Sequence, residues 1–259
     1  MNARRTAALC AAALAVSLLG ADDPKPDPSP LKALATPEAV RAAGTVGLFA
    51  LASLAPAAVL MVTAFVRIQI VLTLLRQALG SPQVPGNQAL GALALLLTAL
   101  VMQPVAARVH RDAVAPYQAG RLGPEAAWHA GTQPIKEFMV DQIYRTHHER
   151  YLADLYSLTV ADPGATPDAP ERSEDLPLRV VAPAFLISEL TTALVIGFLI
   201  YIPFLVVDLV VAAVLAAMGL VMLPPALVSV PLKLILFVLA GGWWLVSSML
   251  LRSFGMGAG

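Results

Sequence analysis

The chain has 259 residues, 58% of them hydrophobic and 13% charged, with a mean hydropathy of +0.74. Soluble domains carry about 25% charged residues, so the composition excludes a disordered chain and a coiled coil and points to lipid or a very apolar assembly. The 17 basic residues balance 17 acidic ones, which excludes a nucleic-acid binder, and the single cysteine, Cys10, leaves no intrachain disulfide.

Residues 1–21 read as a secretory signal peptide. Arg4 and Arg5 precede an uncharged apolar run over 7–19, and the small residues Gly20 and Ala21 end it. The competing reading is an uncleaved N-terminal anchor. Residues 22–43 form an extended segment in which Pro24, Pro26, Pro28 and Pro30 alternate with polar side chains. Residues 44–107 are expected to make a first apolar helical hairpin. Its first arm, 44–66, is uncharged, is kinked at Pro56 and ends at Arg67, and apolar character resumes over 68–75. The turn-rich stretch 80–87 then breaks the chain, and 89–107 is a second uncharged arm.

Residues 108–179 differ in kind, holding 8 of the basic and 11 of the acidic residues. They are expected to form a polar helical domain inserted between two apolar halves. Pro134 is placed to open a helix. Ile135, Phe138, Met139 and Ile143, then Tyr151, Leu152, Leu155 and Tyr156, recur at helical spacing and predict one amphipathic helix over 134–158. Residues 162–177, rich in Pro and acid, predict a loop. The second apolar region is 180–259. Its first 72 residues carry only three charges, Glu189, Asp208 and Lys233. Breaks are expected at Pro203, at Pro224-Pro225 and at Gly241-Gly242, giving two long helices or three short ones. A cleaved signal puts residue 22 outside, Arg67 and Arg76 inside, and the acidic segment 108–179 outside.

Few residues have the makings of chemistry. His110, His129, His147 and His148 lack the i,i+3 or i,i+4 spacing of a helical metal site, since adjacent histidines face different ways. No G-x-S-x-G, P-loop or G-x-G-x-x-G occurs, so neither an enzyme nor a cofactor is expected. The informative residues are Glu189, Asp208 and Lys233. A charge at a helix centre costs about 2.5–3.5 kcal/mol on insertion scales, so each should pair, face water or lie near an interface. Met218 and Met222 beside Pro224-Pro225 suit a deformable constriction or a lipid-facing helix end. Ala212-Ala213, Ala216-Ala217 and Gly219 permit close helix approach.

Several strings together resemble one family. They are Phe65-Val66-Arg67-Ile68, Leu74-Leu75-Arg76-Gln77-Ala78-Leu79-Gly80, Gln83-Val84-Pro85-Gly86-Asn87-Gln88 and Gln133-Pro134-Ile135-Lys136-Glu137-Phe138-Met139. Later come Pro183-Ala184-Phe185, Ser188-Glu189-Leu190, the run Gly197-Phe198-Leu199-Ile200-Tyr201-Ile202-Pro203-Phe204-Leu205-Val206-Val207-Asp208, and Pro231-Leu232-Lys233 with Gly242-Trp243. The resemblance, over about 45–252, is to the FliP/SctR family of type III export-gate proteins, flagellar and injectisome respectively. The signal peptide and long N-terminal segment favour the flagellar branch.

The resemblance implies an all-α fold of long broken apolar helices with one inserted polar helical domain, assembling into a helical funnel. It implies a non-enzymatic homopentamer in the bacterial inner membrane and flagellar basal body, with FliQ-like and FliR-like subunits, the polar domain periplasmic, and unfolded proteins passing through. It places a pore gasket at Met218, Leu220, Val221 and Met222, where Leu220 and Val221 stand in place of the usual methionines. It carries the loop residues Pro85, Asn87 and Gln88, with Gly86 replacing a usual proline. It gives Glu189, Asp208 and Lys233 inter-helix or inter-subunit pairing. Thr191 and Gly241 replace charged residues usual in the family. The rival classes are a secondary transporter, for which an inverted repeat is missing, and a membrane scaffold without a pore.

Overall fold

A computed structural model describes residues 45, 53, 56, 57, 59–81, 85–159, 176–220 and 222–256. The signal peptide, the Pro-rich segment, about half of the first apolar arm, most of the 162–177 loop and Val221 lie outside the described residues. The fold is all-α. From Phe65 on, the helices among the described residues are α1 (Phe65–Ala78), α2 (Asn87–Val109), α3 (Ala115–Gln118), α4 (Pro124–Arg145), α5 (Glu149–Thr159), α6 (Leu178–Ala217), α7 (Pro225–Leu239) and α8 (Gly242–Ser253). A π-helical turn, His110–Val114, joins α2 to α3 without a break, so this helix runs past residue 108 to Gln118.

Helix α1 is the centre of the packing. Ile68, Val71, Leu72, Leu75 and Ala78 recur every three or four residues and are buried. They meet Leu90, Ala94, Leu97 and Val101 of α2, Ala193 and Phe204 of α6, Phe237 of α7 and Val246 and Leu250 of α8. Gly80, with φ +73°, ends α1 in the left-handed conformation, and a Cβ there would fall 2.8 Å from Val230 Cγ2. A second core joins Met139, Val140 and Ile143 of α4, Leu152 of α5 and Val180, Val181, Ala184 and Phe185 of α6. Phe138 touches both cores and meets the Phe185 ring edge-on at 6.0 Å.

The amphipathic pattern over 134–158 resolves into two helices, α4 and α5. Helix α4 begins at Pro124, ten residues earlier than expected, and carries Pro134 in its interior. It ends before the expected helix does because His147 takes φ 58° and the His148 and His147 N–H groups donate to the Ile143 and Tyr144 carbonyls at 3.0 and 3.1 Å. That is a Schellman closure with a histidine where glycine is usual. The break expected at Pro203 is absent: α6 runs unbroken through Pro183 and Pro203 for 40 residues. Proline removes one backbone bond, but an apolar surrounding favours keeping every other one, and beside Pro203 the Phe204 side chain is buried in the α1 core. The breaks at Pro224 and at Gly241-Gly242 are present. Gly219 (φ +76°) closes α6, Pro224 precedes α7, and Gly241 (φ +63°) separates α7 from α8, which meet at a bend of 66°.

Asn87–Gln118 and Leu178–Ala217 are each long and apolar enough to cross a membrane, and α7 with α8 forms a bent pair of the same character. Gly197 of α6 packs on α1, where an added Cβ would lie 2.2 Å from Leu74 Cδ1 and 3.1 Å from Leu74 Cβ. Gly197→Val is therefore expected to destabilise the α1–α6 contact by about 1–3 kcal/mol. Leu74→Ala in the same chain should return part of the loss. Thermal melting of the detergent-solubilised protein checks both, and a Gly197→Val midpoint equal to the parent's would refute the packing assignment.

Candidate functional site

The charged residues of the apolar regions are tied together, with α1 at the middle. Arg67 and Glu189 are both completely buried. The guanidinium donates through Nε to Glu189 Oε2 at 2.8 Å and through Nη2 to Glu189 Oε1, a two-bond fork. Its Nη1 donates to the Ser253 carbonyl at 3.0 Å and Ser253 Oγ at 3.2 Å, and its Cζ lies 4.0 Å from the Phe254 ring centre. One arginine thus joins α1, α6 and the end of α8. A carboxylate or guanidinium alone in this environment would be very costly, and only near-complete pairing makes the burial tolerable.

The second cluster sits at the other end of α1. Lys233 of α7, almost fully buried, donates to Asp208 Oδ2 of α6 at 2.5 Å and to the Ala78 carbonyl at 3.2 Å. Ala78 is the last residue of α1, so its carbonyl lacks an intrahelical partner and stands at the negative end of the helix dipole. The ammonium answers both needs. Together the pairs fix register: Arg67 faces Glu189, Leu74 faces Gly197, and Ala78 reaches Asp208 through Lys233. Helix α1 therefore runs alongside α6 in the same direction.

Glu189, Asp208 and Lys233 thus have partners within this chain. The partner of Glu189, Arg67, is the residue that sequence reasoning missed. In the sequence it reads as the end of an apolar stretch, although it is flanked by Val66 and Ile68 and bears the same desolvation cost as Glu189. That cost was the available signal. Ser253 and the Ala78 carbonyl left none, because backbone and hydroxyl partners are supplied only by the fold.

The expected gasket residues follow α6. Met218 is its C-cap, the Leu220 N–H donates to the Leu215 carbonyl at 2.9 Å, and Met222 is 96% exposed. Val221 lies outside the described residues. The chain leaves the helix at Gly219 and re-enters one at Pro225, and Leu220 and Met222 stand between the two helices. Pro85 and Gly86 precede α2. Asn87, its first residue, accepts a hydrogen bond from Arg76 at the end of α1 through Oδ1, and Gln88 is exposed. Among the described residues no three His, Cys, Asp or Glu side chains are grouped to hold a metal ion.

The polar segment docks on α6 next to Glu189. Ser188, completely buried, has Oγ 2.8 Å from Thr146 Oγ1 and 2.8 Å from His148 Nδ1. Thr146 Oγ1 also lies 2.9 Å from the Gln142 carbonyl and 3.1 Å from that of Ile143. One proton count satisfies the group: Thr146 donates to the carbonyls, Ser188 to Thr146, and His148 Nδ1–H to Ser188. His148 also stacks on Tyr151 at 5.0 Å. The α4–α5 elbow is thereby attached beside the buried ion pair.

A model of the FliP family matches residues 48–250. The chain is 48% identical over 214 residues to the flagellar biosynthetic protein FliP of Caulobacter vibrioides, covering 83% of this chain and 77% of that one. It is 46% identical over 201 residues to the flagellar biosynthetic protein FliP of Pectobacterium carotovorum, covering 77% and 73%.

Burial holds the His148 imidazole below its ordinary pKa; Arg67 and His147 push the same way and Glu149 opposes them. The undocked elbow therefore binds a proton more readily than the docked one. The docking contact is at full strength above the ordinary histidine value of about 6.5 and weakens as pH falls below it. Amide exchange over 146–156 should accelerate between pH 7.5 and 5.5 after correction for intrinsic rates. His148→Gln should abolish that extra acceleration, and a variant that keeps it would show that His148 is not the titrating group.

Proposed function

The chain belongs to the FliP family, whose relatives above are flagellar biosynthetic proteins, and on that premise we propose that it builds the pore of a flagellar type III export gate. In this reading unfolded proteins cross the inner membrane through a ring of five copies with FliQ-like and FliR-like subunits. The polar segment lies on the periplasmic side of the basal body, behind a signal peptide. The chain does no chemistry and supplies no driving energy.

The observation that carries the reading is the length of α6. Its 40 residues make a helix about 60 Å long, against a hydrocarbon core of about 30 Å. Even the steepest usual tilt, about 40°, leaves roughly 45 Å to be covered along the membrane normal. Yet α6 exposes apolar side chains along most of its length, from Ile187 through Leu194, Phe198, Leu205 and Leu209 to Val214. That face is itself about 40 Å long, more than the hydrocarbon core covers unless α6 is steeply tilted, so protein packed against it would take the rest. Further copies and related subunits meet the need, and a funnel rising out of the membrane follows. The charges that would spoil such a face, Glu189 and Asp208, are held by Arg67 and Lys233 inside the chain.

In this arrangement the exposed turn after α6 points into the axis and closes it. Met218, Leu220, Val221 and Met222 form the seal, which opens by spreading apart. Replacing Leu220, Val221 and Met222 with Gly should leave the complex assembled and make the membrane leaky to small ions. Conductance across membranes expressing the complex checks this. Tight membranes with intact complexes would contradict a seal at these positions, and loss of assembly without leak would indicate a scaffold.

A further inference from the structure

Helix α8 ends against the central ion pair, and the residues after it close over that pair. The Gly255 N–H donates to the Arg252 carbonyl at 2.8 Å and the Met256 N–H to that of Leu251 at 3.2 Å, with Gly255 at φ +82°. This Schellman closure satisfies two carbonyls of the last turn and leaves that of Ser253 for Arg67 Nη1, at 3.0 Å. The guanidinium therefore stands at the negative end of the α8 dipole. Phe254, the next residue, is 6% exposed, belongs to the α1 core and lies over the Arg67 guanidinium at 4.0 Å.

A second arginine bears on the same segment from the polar part of the chain. Arg145, the last residue of α4, lies against Gly255: a Cβ added there would fall 3.0 Å from Arg145 Cζ and closer still to Nη1. Arg145 Nε donates to Asp141 Oδ2 at 2.7 Å, one turn back on α4, which aims the side chain. Residues 253–255 thus touch two guanidinium groups, the buried one of Arg67 and the half-exposed one of Arg145. Helices α1 and α6 are fixed by long packed faces. The segment after α8 rests on its closure, one aromatic ring and the Arg145 contact.

We propose that residues 253–256 are a latch over the Arg67–Glu189 pair, and that α4 keeps it shut through Arg145. With the latch closed the pair is dry, and the fork fixes α1 against α6. With the latch open, water reaches both charges, and the pair loses most of its directing strength, because ion pairs in contact with water contribute little. The packed state of the apolar helices is then conditional on α4 being in place. This contact is separate from the Ser188 group, which attaches the elbow to α6 by other side chains. The latch does not rest on the channel reading, and either can fail without the other.

The test uses the full chain solubilised in mild detergent. It is treated near neutral pH with a water-soluble carbodiimide and an amine, and modification of each carboxylate is read by peptide mass spectrometry. In the parent, Glu189 should stay unmodified while the exposed Glu125 reacts. Arg145→Ala should raise Glu189 modification relative to Glu125 roughly tenfold and accelerate amide exchange over 253–256 by a similar factor. Exchange over α5, attached through the Ser188 group, should stay at the parental rate. Phe254→Ala should expose Glu189 even with Arg145 intact. If that variant does not fold, Arg145→Ala, at a half-exposed position, carries the test. Parental protection of Glu189 in Arg145→Ala would overturn the latch. So would a gain at Glu189 matched by an equal gain over α5, because the whole polar segment would then have loosened.

Discussion

The fold depends on a buried charge that could not stand alone. Arg67 has no access to water, and almost all of its hydrogen-bonding capacity is directed at Glu189 and Ser253, with Phe254 against its face. In an apolar medium side-chain packing alone gives helices little directional preference, because lipid tails are as apolar as the side chains themselves. A two-bond arginine–carboxylate fork supplies the direction. It sets α1 against α6 in one register and one sense, and it holds the end of α8 to the same point. Lys233 repeats the device at the other end of α1, where Asp208 and the Ala78 carbonyl share one ammonium.

With the charges satisfied internally, the outward face of α6 is left apolar along most of a helix that exceeds the thickness of a bilayer. Specificity is thus placed inside the subunit and bare surface outside it. In the proposed gate that division would let the subunit form before it meets its neighbours. The elbow between α4 and α5 is attached to α6 through Ser188, the residue next to Glu189. The polar segment is therefore attached to α6 one residue away from the buried ion pair.

Much of this was legible in the sequence, and the rest was hidden for definite reasons. Composition and the long uncharged runs disclosed the helical, membrane-type class. Ordered matches such as Pro203-Phe204-Leu205-Val206-Val207-Asp208 disclosed the family. The pull of Glu189, Asp208 and Lys233 toward partners followed from desolvation cost alone, but the identity of Arg67 did not, because pairing across 122 residues is set by tertiary structure. Pro203 misled because proline lowers helix propensity in water, whereas an apolar medium gives a strong incentive to keep every other backbone bond. The split between α4 and α5 was invisible because apolar spacing continues across it. The break is made by His147 in a conformation that sequence rules assign to glycine.

The most direct measurement is a charge-exchange cycle at the central pair, read as the native mass of the assembled complex. Arg67→Glu and Glu189→Arg are made singly and together in the full chain co-expressed with FliQ-like and FliR-like subunits. A five-copy ring is expected for the parent, loss of the ring in each single variant, where two like charges are buried together, and substantial recovery in the exchanged pair. Rings of parental mass and yield in both single variants would contradict it, because the buried pair would then not be what fixes the helices for assembly.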